Sequence, residues 1–390
     1  MTAAPDSVGK NGPSEAADPL FRGFSVRSLQ LRNRIVMSPM TRAYSPGGVP
    51  GPDVAQYYRR RAEGGTGLIL TEGVAIDHPA SVDHASVPRM FGAKALAGWR
   101  AVVDGVHEAG GRIIPQLWHV GPLWGAMGGG TDVTPMRPSG LWGTPGITSY
   151  SSDLVRASQP ATRAMTTADI DAVIEAYRTA ARGAIEAGFD GVALHGGHGY
   201  LLDSFLWADT NRRDDEWGGD PERRAAFPAA VVRAIRAEIG PDLPIFFRFS
   251  QHKQQDFSAR LADTPEELGA LLRPLVTAGV DVLDASARRF QDPAFEGSSL
   301  GLAGWAKQLT GAAAMAVGSV GIGSALKDRR SSGNPILDNR EDLLRRLAAD
   351  EFDLIGIGRL HLADAALVRT LRAGEPLPRY DYNKHESALL

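Results

Sequence analysis

The sequence predicts an α/β chain closed as a (β/α)8 TIM barrel, on three observations. Eight short apolar runs of strand length recur between residues 35 and 357. Helical segments with their own start and stop signals lie between most of them. The first run is not followed by the Gly-x-Gly-x-x-Gly turn that the competing architecture, an open doubly wound sheet, would carry. Eight βα units in one parallel sheet are best accommodated by closing it.

Composition bounds the rest. The chain has 390 residues, and barrels of this type run past ~250 residues as a single domain. Hydrophobic residues make up 43%, ample for a large core, and the net charge of −3 gives no reason to expect nucleic acid. There is no cysteine, which excludes disulfides, thiolate catalysis and cysteine-held zinc or iron–sulfur clusters. Residues 1–19 are rich in Ala, Pro, Ser, Gly and Asp and read as a disordered tail without an apolar leader. No apolar run is long enough to span a membrane. The expectation is a cytoplasmic protein with the barrel over residues 20–375 and a C-terminal tail over 376–390.

The elements follow in order. Ile35 to Met37 suit a buried strand that Pro39 ends, with Met40 and Thr41 just beyond it. Asp53 to Glu63 is a helix, with Asp53 near its N-cap and Gly64-Gly65 as its stop. Leu68 to Leu70 is the second strand and leads into Thr71-Glu72-Gly73. A helix over Ala95 to Ala109 closes on Gly110-Gly111. Arg112 to Trp118 is the third strand, with Gln116 and Trp118 at its far end and Pro115 awkward inside it.

Residues 119–166 then break the rhythm. Gly, Pro, Ser and Thr dominate and no helical period is visible, as in a cap over a site. Thr167 is the expected cap of a helix from Ala168 to Ala187. Gly191 to Leu194 is the fourth strand. Arg223 to Ile239 is a helix, and Pro244 to Phe249 the fifth strand, carrying Arg248. Thr264-Pro265-Glu266-Glu267 starts the next helix with a capping residue and a proline in the first turn. Val280 to Leu283 is the sixth strand, and 286–304 a second irregular segment that shares the barrel mouth with the cap. Ala312 to Val317 is the seventh strand, followed by a helix over Asp338 to Ala349. Phe352 to Ile357 is the eighth strand, and Ala363 to Leu371 the last helix.

Chemistry concentrates where strands end, since in a parallel barrel the C-terminal strand ends carry the site. Gly188 to Trp207 is the richest stretch. His195 ends the fourth strand, glycines at 196, 197 and 199 keep the following loop free of bulk, and His198 and Tyr200 lie within it. Taken singly, each of the three also reads as a satisfied loop histidine or a core tyrosine. Gly318-Ser319 and Gly358-Arg359 follow strands seven and eight, where barrels bind phosphate with backbone N–H groups and a cation. Gln116 offers a donor and an acceptor together, suited to an amide-like ring edge. Arg248 is a permanent cation that must be paired, by a ligand or by a carboxylate such as Glu72 or Asp284. Phosphate site, amide reader and cation together suggest flavin mononucleotide.

At this point the sequence resembles the Old Yellow Enzyme family, the NADH:flavin oxidoreductases, from about residue 20 to residue 375. The carriers are Asn33-Arg-Ile-Val-Met-Ser-Pro-Met-Thr-Arg42, Gln116-Leu-Trp-His-Val-Gly121 and His195-Gly-Gly-His-Gly-Tyr-Leu-Leu-Asp203. Asn211-Arg-Arg-Asp-Asp-Glu-Trp-Gly-Gly219 and Gly356-Ile-Gly-Arg359 complete the set.

The resemblance implies non-covalent FMN, NADPH or NADH as reductant, and reduction of the activated C=C bond of α,β-unsaturated carbonyl or nitro compounds. It implies Pro39, Met40, Thr41, Gly73, Gln116 and Arg248 against the flavin, and Gly318, Ser319, Gly358 and Arg359 on its phosphate. His195 and His198 would grip the substrate carbonyl, Tyr200 would donate the proton, and Trp118 would shape the pocket. No metal is expected, and a homodimer is compatible with the resemblance.

Two stretches depart from the family pattern. Pro122 stands where many members have arginine, and Phe247 to Asp256 replaces the commoner segment after the fifth strand. The competing readings are a non-flavin phosphate-binding barrel, a lyase or isomerase with His195 and His198 on a metal, and a non-catalytic binding protein. Two imidazoles without a carboxylate at ligand spacing make a poor metal site.

Overall fold

The structure, a computed structural model, describes residues 18–130, 132–323 and 334–390. The tail expected over residues 1–19 lies outside the described residues up to residue 17. Asp18 and Pro19 belong to the fold. The Asp18 carboxylate accepts Leu20 N–H at 2.9 Å and Arg340 Nη2 at 2.8 Å, capping a short turn at Pro19–Phe21.

An antiparallel hairpin comes first, β1 (Phe24–Val26) and β2 (Leu29–Leu31). Eight parallel strands follow: β3 (Ile35–Met37), β4 (Leu68–Ala75), β5 (Ile113–Trp118), β6 (Val192–His195), β7 (Ile245–Ser250), β8 (Val282–Ser286), β9 (Ala313–Val317) and β10 (Leu354–Ile357). They close in chain order, with β10 pairing with both β3 and β9. The (β/α)8 barrel expected from the sequence is the fold.

Side chains alternate across each strand, and this sorts the core in two. Ile69, Ile113, Leu194, Phe247, Leu283 and Ile355 face outward and pack with the helices. The barrel axis is filled near the strand starts by Val36, Leu68, Leu70, Ile114, Ala193, Phe246, Val282, Met315 and Leu354. Leu29 and Leu31 of the hairpin join this inner cluster and plug the barrel's N-terminal end. Two residues further along the same inward phase stand Ser38, Gln116, His195, Arg248, Asp284 and Gly356. The apolar floor thus passes into a polar layer by period alone.

The helices are α1 (Pro52–Glu63), α2 (Ala93–Glu108), α3 (Ser152–Ser158), α4 (Thr167–Glu186), α5 (Leu201–Leu206), α6 (Pro221–Arg224), α7 (Ala226–Ile239), α8 (Pro265–Ala278), α9 (Leu302–Thr310), α10 (Arg340–Ala348), α11 (Arg359–Ala363), α12 (Leu367–Ala373) and α13 (Tyr382–His385). Several sequence boundaries shift for identifiable reasons. Gly51, not Asp53, is the N-cap of α1, because Pro52 fills the first helical position. Thr166 rather than Thr167 caps α4, in a reciprocal capping box with Asp169. The helix expected over 223–239 is two, α6 and α7, meeting at Ala225. The last helix divides into α11 and α12. The hairpin and α9 were not foreseen; α9 begins within the stretch read as irregular.

Pro115 is accommodated because the β4–β5 register slips between Leu70 and Gly73, which interrupts the ladder opposite it. Residues 119–166 are mostly irregular but contain α3. The C-terminal residues are drawn onto the barrel: Arg42 donates to the carbonyls of His385 and Ala388, both at 2.8 Å, and Arg60 to that of Leu389 at 2.8 Å.

The plug gives a test of this core. Leu29 is 2% exposed, and Leu29→Ala is expected to destabilise the protein by about 2–5 kcal/mol in denaturant titration. A loss well under about 1 kcal/mol would mean that the hairpin covers the barrel without being part of its core.

Candidate active site

The register of three adjacent strands sets the centre of the site. His195 is paired with Arg248 across β6 and β7, and Arg248 with Asp284 across β7 and β8. Arg248 Nε donates to Asp284 Oδ2 at 2.7 Å, both side chains being buried. Of the two carboxylates considered from the sequence, Asp284 is the partner. Glu72 has another task. Its Oε2 accepts the backbone N–H groups of Arg42 and Ala43, each at 2.8 Å, and so pins the loop of Pro39, Met40 and Thr41 after β3. Burial lifts the Glu72 carboxyl to about 7 against these N–H donors. Thr41, within this loop, is exposed.

Several buried polar atoms around this centre have no hydrogen-bond partner: Gln116 Nε2, Arg248 Nη2, His195 Nδ1 and Trp118 Nε1. A buried donor left unsatisfied costs about 1–3 kcal/mol. Four such atoms on the adjacent strands β5, β6 and β7 point to a ligand that pairs with them. Gln116 Nε2 and Arg248 Nη2 suit the carbonyl and nitrogen edge of a flavin ring, which is the fit FMN requires. Gly73 pairs with Gln116 in the ladder, and a Cβ there would lie 2.5 Å from the Trp118 ring. Packing of Trp118 therefore already requires glycine at 73, apart from any cofactor contact.

The loop after β6 brings the other expected residues together. The His195 ring is 4.6 Å from that of Tyr200 and 5.1 Å from that of His198, centre to centre. Trp118 stacks beside His195 at 6.3 Å and meets Tyr200 edge-on at 5.0 Å. The reading of these three as unrelated satisfied residues therefore fails for His195, whose Nδ1 is buried and unpartnered. Burial, and then the neighbouring Arg248, holds the His195 imidazolium pKa well below its ordinary value. Burial followed by the charges of His252, His195, Arg248 and Lys253 does the same for His198. Both rings are neutral near pH 7. Burial, with a smaller contribution from Asp83, raises the Tyr200 hydroxyl, so it keeps its proton.

The two phosphate candidates also converge. Arg359 Nη2 lies 3.5 Å from Ser319 Oγ, which itself donates to the carbonyl of Arg288 at 2.9 Å. Gly318 has a φ of 151°, and a Cβ there would sit 2.7 Å from the Ala287 carbonyl, so the close turn admits only glycine. Gly358 caps α11, with Met40 from the first loop beside it. All the residues singled out in the sequence thus lie on the C-terminal face of the barrel.

Others were missed. Ser286 Oγ lies 2.9 Å from His198 Nε2, and His252 packs its ring 5.0 Å from that of His198. Asp83 accepts the Gly125 and Met127 amides at 2.8 Å each and anchors the start of the cap. For Ser286 a signal existed: it is two residues beyond Asp284 on the inward phase. Asp83 is a loop residue whose partners are backbone amides, and nothing in the sequence marks it.

Among the described residues no cluster of His, Asp and Glu is suited to a metal ion. The model of the NADH:flavin oxidoreductase / NADH oxidase family matches residues 19–377. The chain is 33% identical over 386 residues to 12-oxophytodienoate reductase 1 of Oryza sativa subsp. japonica, covering 98% of this chain and 92% of that protein. It is 37% identical over 269 residues to NADH oxidase of Thermoanaerobacter brockii, which covers 69% of this chain and 39% of the relative. Among solved structures, morphinone reductase superposes with a TM-score of 0.76 at 28% identity, over 95% of this chain and 94% of its own. A second structure holds morphinone reductase in complex with tetrahydroNAD. The non-flavin lyase or isomerase reading is not favoured by any of these. The chain belongs to the NADH:flavin oxidoreductase / NADH oxidase family, that of Old Yellow Enzyme, and is an FMN-dependent, nicotinamide-driven ene-reductase.

Proposed function

We propose that His195, His198 and Tyr200 carry out the reduction of a C=C bond conjugated to a carbonyl or nitro group. The observation that carries this is the convergence of the three rings, at 4.6–5.1 Å, beside the unpartnered Gln116 and Arg248 donors. Bound FMN supplies the hydride, taken from NADPH or NADH. Gln116, Arg248 and the Pro39–Thr41 loop would hold its ring, and Gly318, Ser319, Gly358 and Arg359 its phosphate.

The chain's own residues then have distinct tasks. Hydride addition at the β-carbon drives negative charge onto the substrate oxygen. Two neutral imidazoles offering N–H donors to that oxygen stabilise it, an effect of about 2.7–4 kcal/mol per donor in comparable sites. Neutrality matters, because a neutral ring donates through one nitrogen only and its orientation decides which. Tyr200 keeps its proton and gives it to the α-carbon. Trp118, stacked beside His195, bounds the substrate, and residues 119–166 would restrict entry. No described helix is long and apolar enough to cross a membrane. A cytoplasmic location belongs to the same reading, and light scattering tests whether the chain forms a homodimer.

Tyr200→Phe keeps the ring and removes the hydroxyl, so it isolates the proton transfer. Rapid mixing is expected to find flavin reduction by nicotinamide near normal and re-oxidation by cyclohexenone slowed by about 10²–10⁴. Re-oxidation by a quinone, which needs no carbon protonation, stays close to wild type. An unaltered enone step would falsify the assignment of Tyr200.

For the phosphate contacts, Arg359→Ala is expected to weaken FMN retention by about 1.5–3 kcal/mol, measured as the dissociation constant of the flavin. Equal affinity in the two proteins removes Arg359 from the phosphate site.

Holding His195 and His198 neutral also links stability to pH. Below the unfolded histidine pKa of about 6.5 the unfolded chain binds protons that the folded one refuses, so their contribution is full above that value and shrinks as the pH falls. Glu72, whose buried carboxyl is raised to about 7, acts in the opposite sense, so the comparison is with a variant. The urea midpoint should drop more between about pH 7.5 and about pH 5.5 in the wild type than in His195→Gln with His198→Gln, and an equal drop means that the imidazoles are protonated in the fold.

A further inference from the structure

His198, with φ 64°, and Gly199, with φ 85°, are consecutive residues in the left-handed region, and the first carries a side chain. Such a turn persists only where its surroundings over-determine it. Here they come from the segment after β7, the stretch that departs from the family pattern. His198 N–H donates to Ser250 Oγ at 2.8 Å, and its carbonyl accepts Gln254 N–H at 3.0 Å. Gly199 N–H donates to Asp203 Oδ2 at 2.5 Å. The other oxygen of that carboxylate accepts Lys253 Nζ at 2.7 Å, and Lys253 donates again to the Ser250 carbonyl at 3.1 Å.

The Lys253 and Asp203 side chains are 0% exposed. An ion pair this deep is a weak source of stability, because desolvating both charges offsets their attraction. Its geometry indicates a different role. One end is fixed to the backbone of β7, and the other grips the amide between His198 and Tyr200. The same segment supports the cap: Gln255 Nε2 donates to the Trp142 carbonyl at 3.1 Å, and Thr148 Oγ1 to that of Gln254 at 2.6 Å.

We propose that Lys253 is a positioning residue for the reaction. Acting through Asp203, it fixes the Gly199 amide, and with it the left-handed turn that presents His198 and Tyr200 to the substrate. This rests on the roles given to those two residues above. Loss of the pair lets the turn relax, misplacing the second oxygen donor and the proton donor together while leaving the flavin contacts of β3, β5, β9 and β10 in place.

The test uses the FMN-loaded enzyme as Lys253→Met and as Lys253→Met with Asp203→Leu. The second leaves no buried unpaired charge and is the variant to rely on if the first does not fold. Re-oxidation by cyclohexenone is expected to fall by about 10²-fold, the scale of a misplacement near 1 Å. Affinity for a simple phenol, whose oxygen would occupy the same donor pair, read from the flavin absorbance without turnover, should fall with it. Flavin reduction by nicotinamide and FMN retention should stay within about two-fold of wild type. Added to Tyr200→Phe, the Lys253 change should cost the enone step far less than it does alone, because groups acting as one unit are not additive.

A folded double variant with wild-type enone rate and phenol affinity overturns the proposal. So does an equal fall of all steps with loss of FMN, which would make the pair merely structural. If the wild-type enzyme itself fails to reduce enones, the functional reading falls instead, while phenol affinity still reports on the turn.

Discussion

Because side chains alternate across a strand, a slip of one residue between β6 and β7 would turn either His195 or Arg248 out of the barrel mouth. The observed register pairs them directly and continues to Asp284 on β8. Closure of the sheet leaves no strand free to slip, and the inner apolar layer below fixes the phase. The chemistry of the mouth therefore depends on packing at the floor, where Leu29 and Leu31 complete the layer begun by Val36, Ala193 and Phe246.

Above that floor the molecule carries costs that a simple core would avoid. Arg248 and Asp284 form a buried ion pair, Lys253 and Asp203 another, and Glu72 is a buried carboxylate held by two amides. The three arrangements have different consequences. Arg248 spends Nε on Asp284 and keeps Nη2 unpaired, and Lys253 and Asp203 hold the loop that carries the His198 and Tyr200 rings. Glu72 Oε2 is spent on the backbone just after Thr41. Preorganised donors in a water-poor site are worth more than the same groups in water, which gives the arrangement a physical purpose.

The 119–166 segment and the histidine loop are joined through the segment after β7. The cap leans on Gln254, Gln255 and Asp256, and the histidine loop on Ser250, Lys253 and Gln254. The 119–166 segment and the loop of His198 and Tyr200 thus share one support, and a change in the one can reach the other through it.

The sequence by itself determined the closed barrel, since eight apolar runs of strand length with helices between them admit few other arrangements. It also determined which residues lie at strand ends, because position along a strand is a local property. His195, Gln116, Arg248, Ser319 and Arg359 were legible for that reason. What it left open was pairing. Whether Arg248 would meet Glu72 or Asp284 depends on the neighbouring strands' register, which no local pattern encodes. The Lys253–Asp203 pair joins residues 50 positions apart. The hairpin plug was hidden because three-residue strands carry too little periodicity to be seen, and α9 because it begins within an irregular stretch. Only the tertiary structure decided these, since each depends on contacts between segments brought together by closure of the sheet.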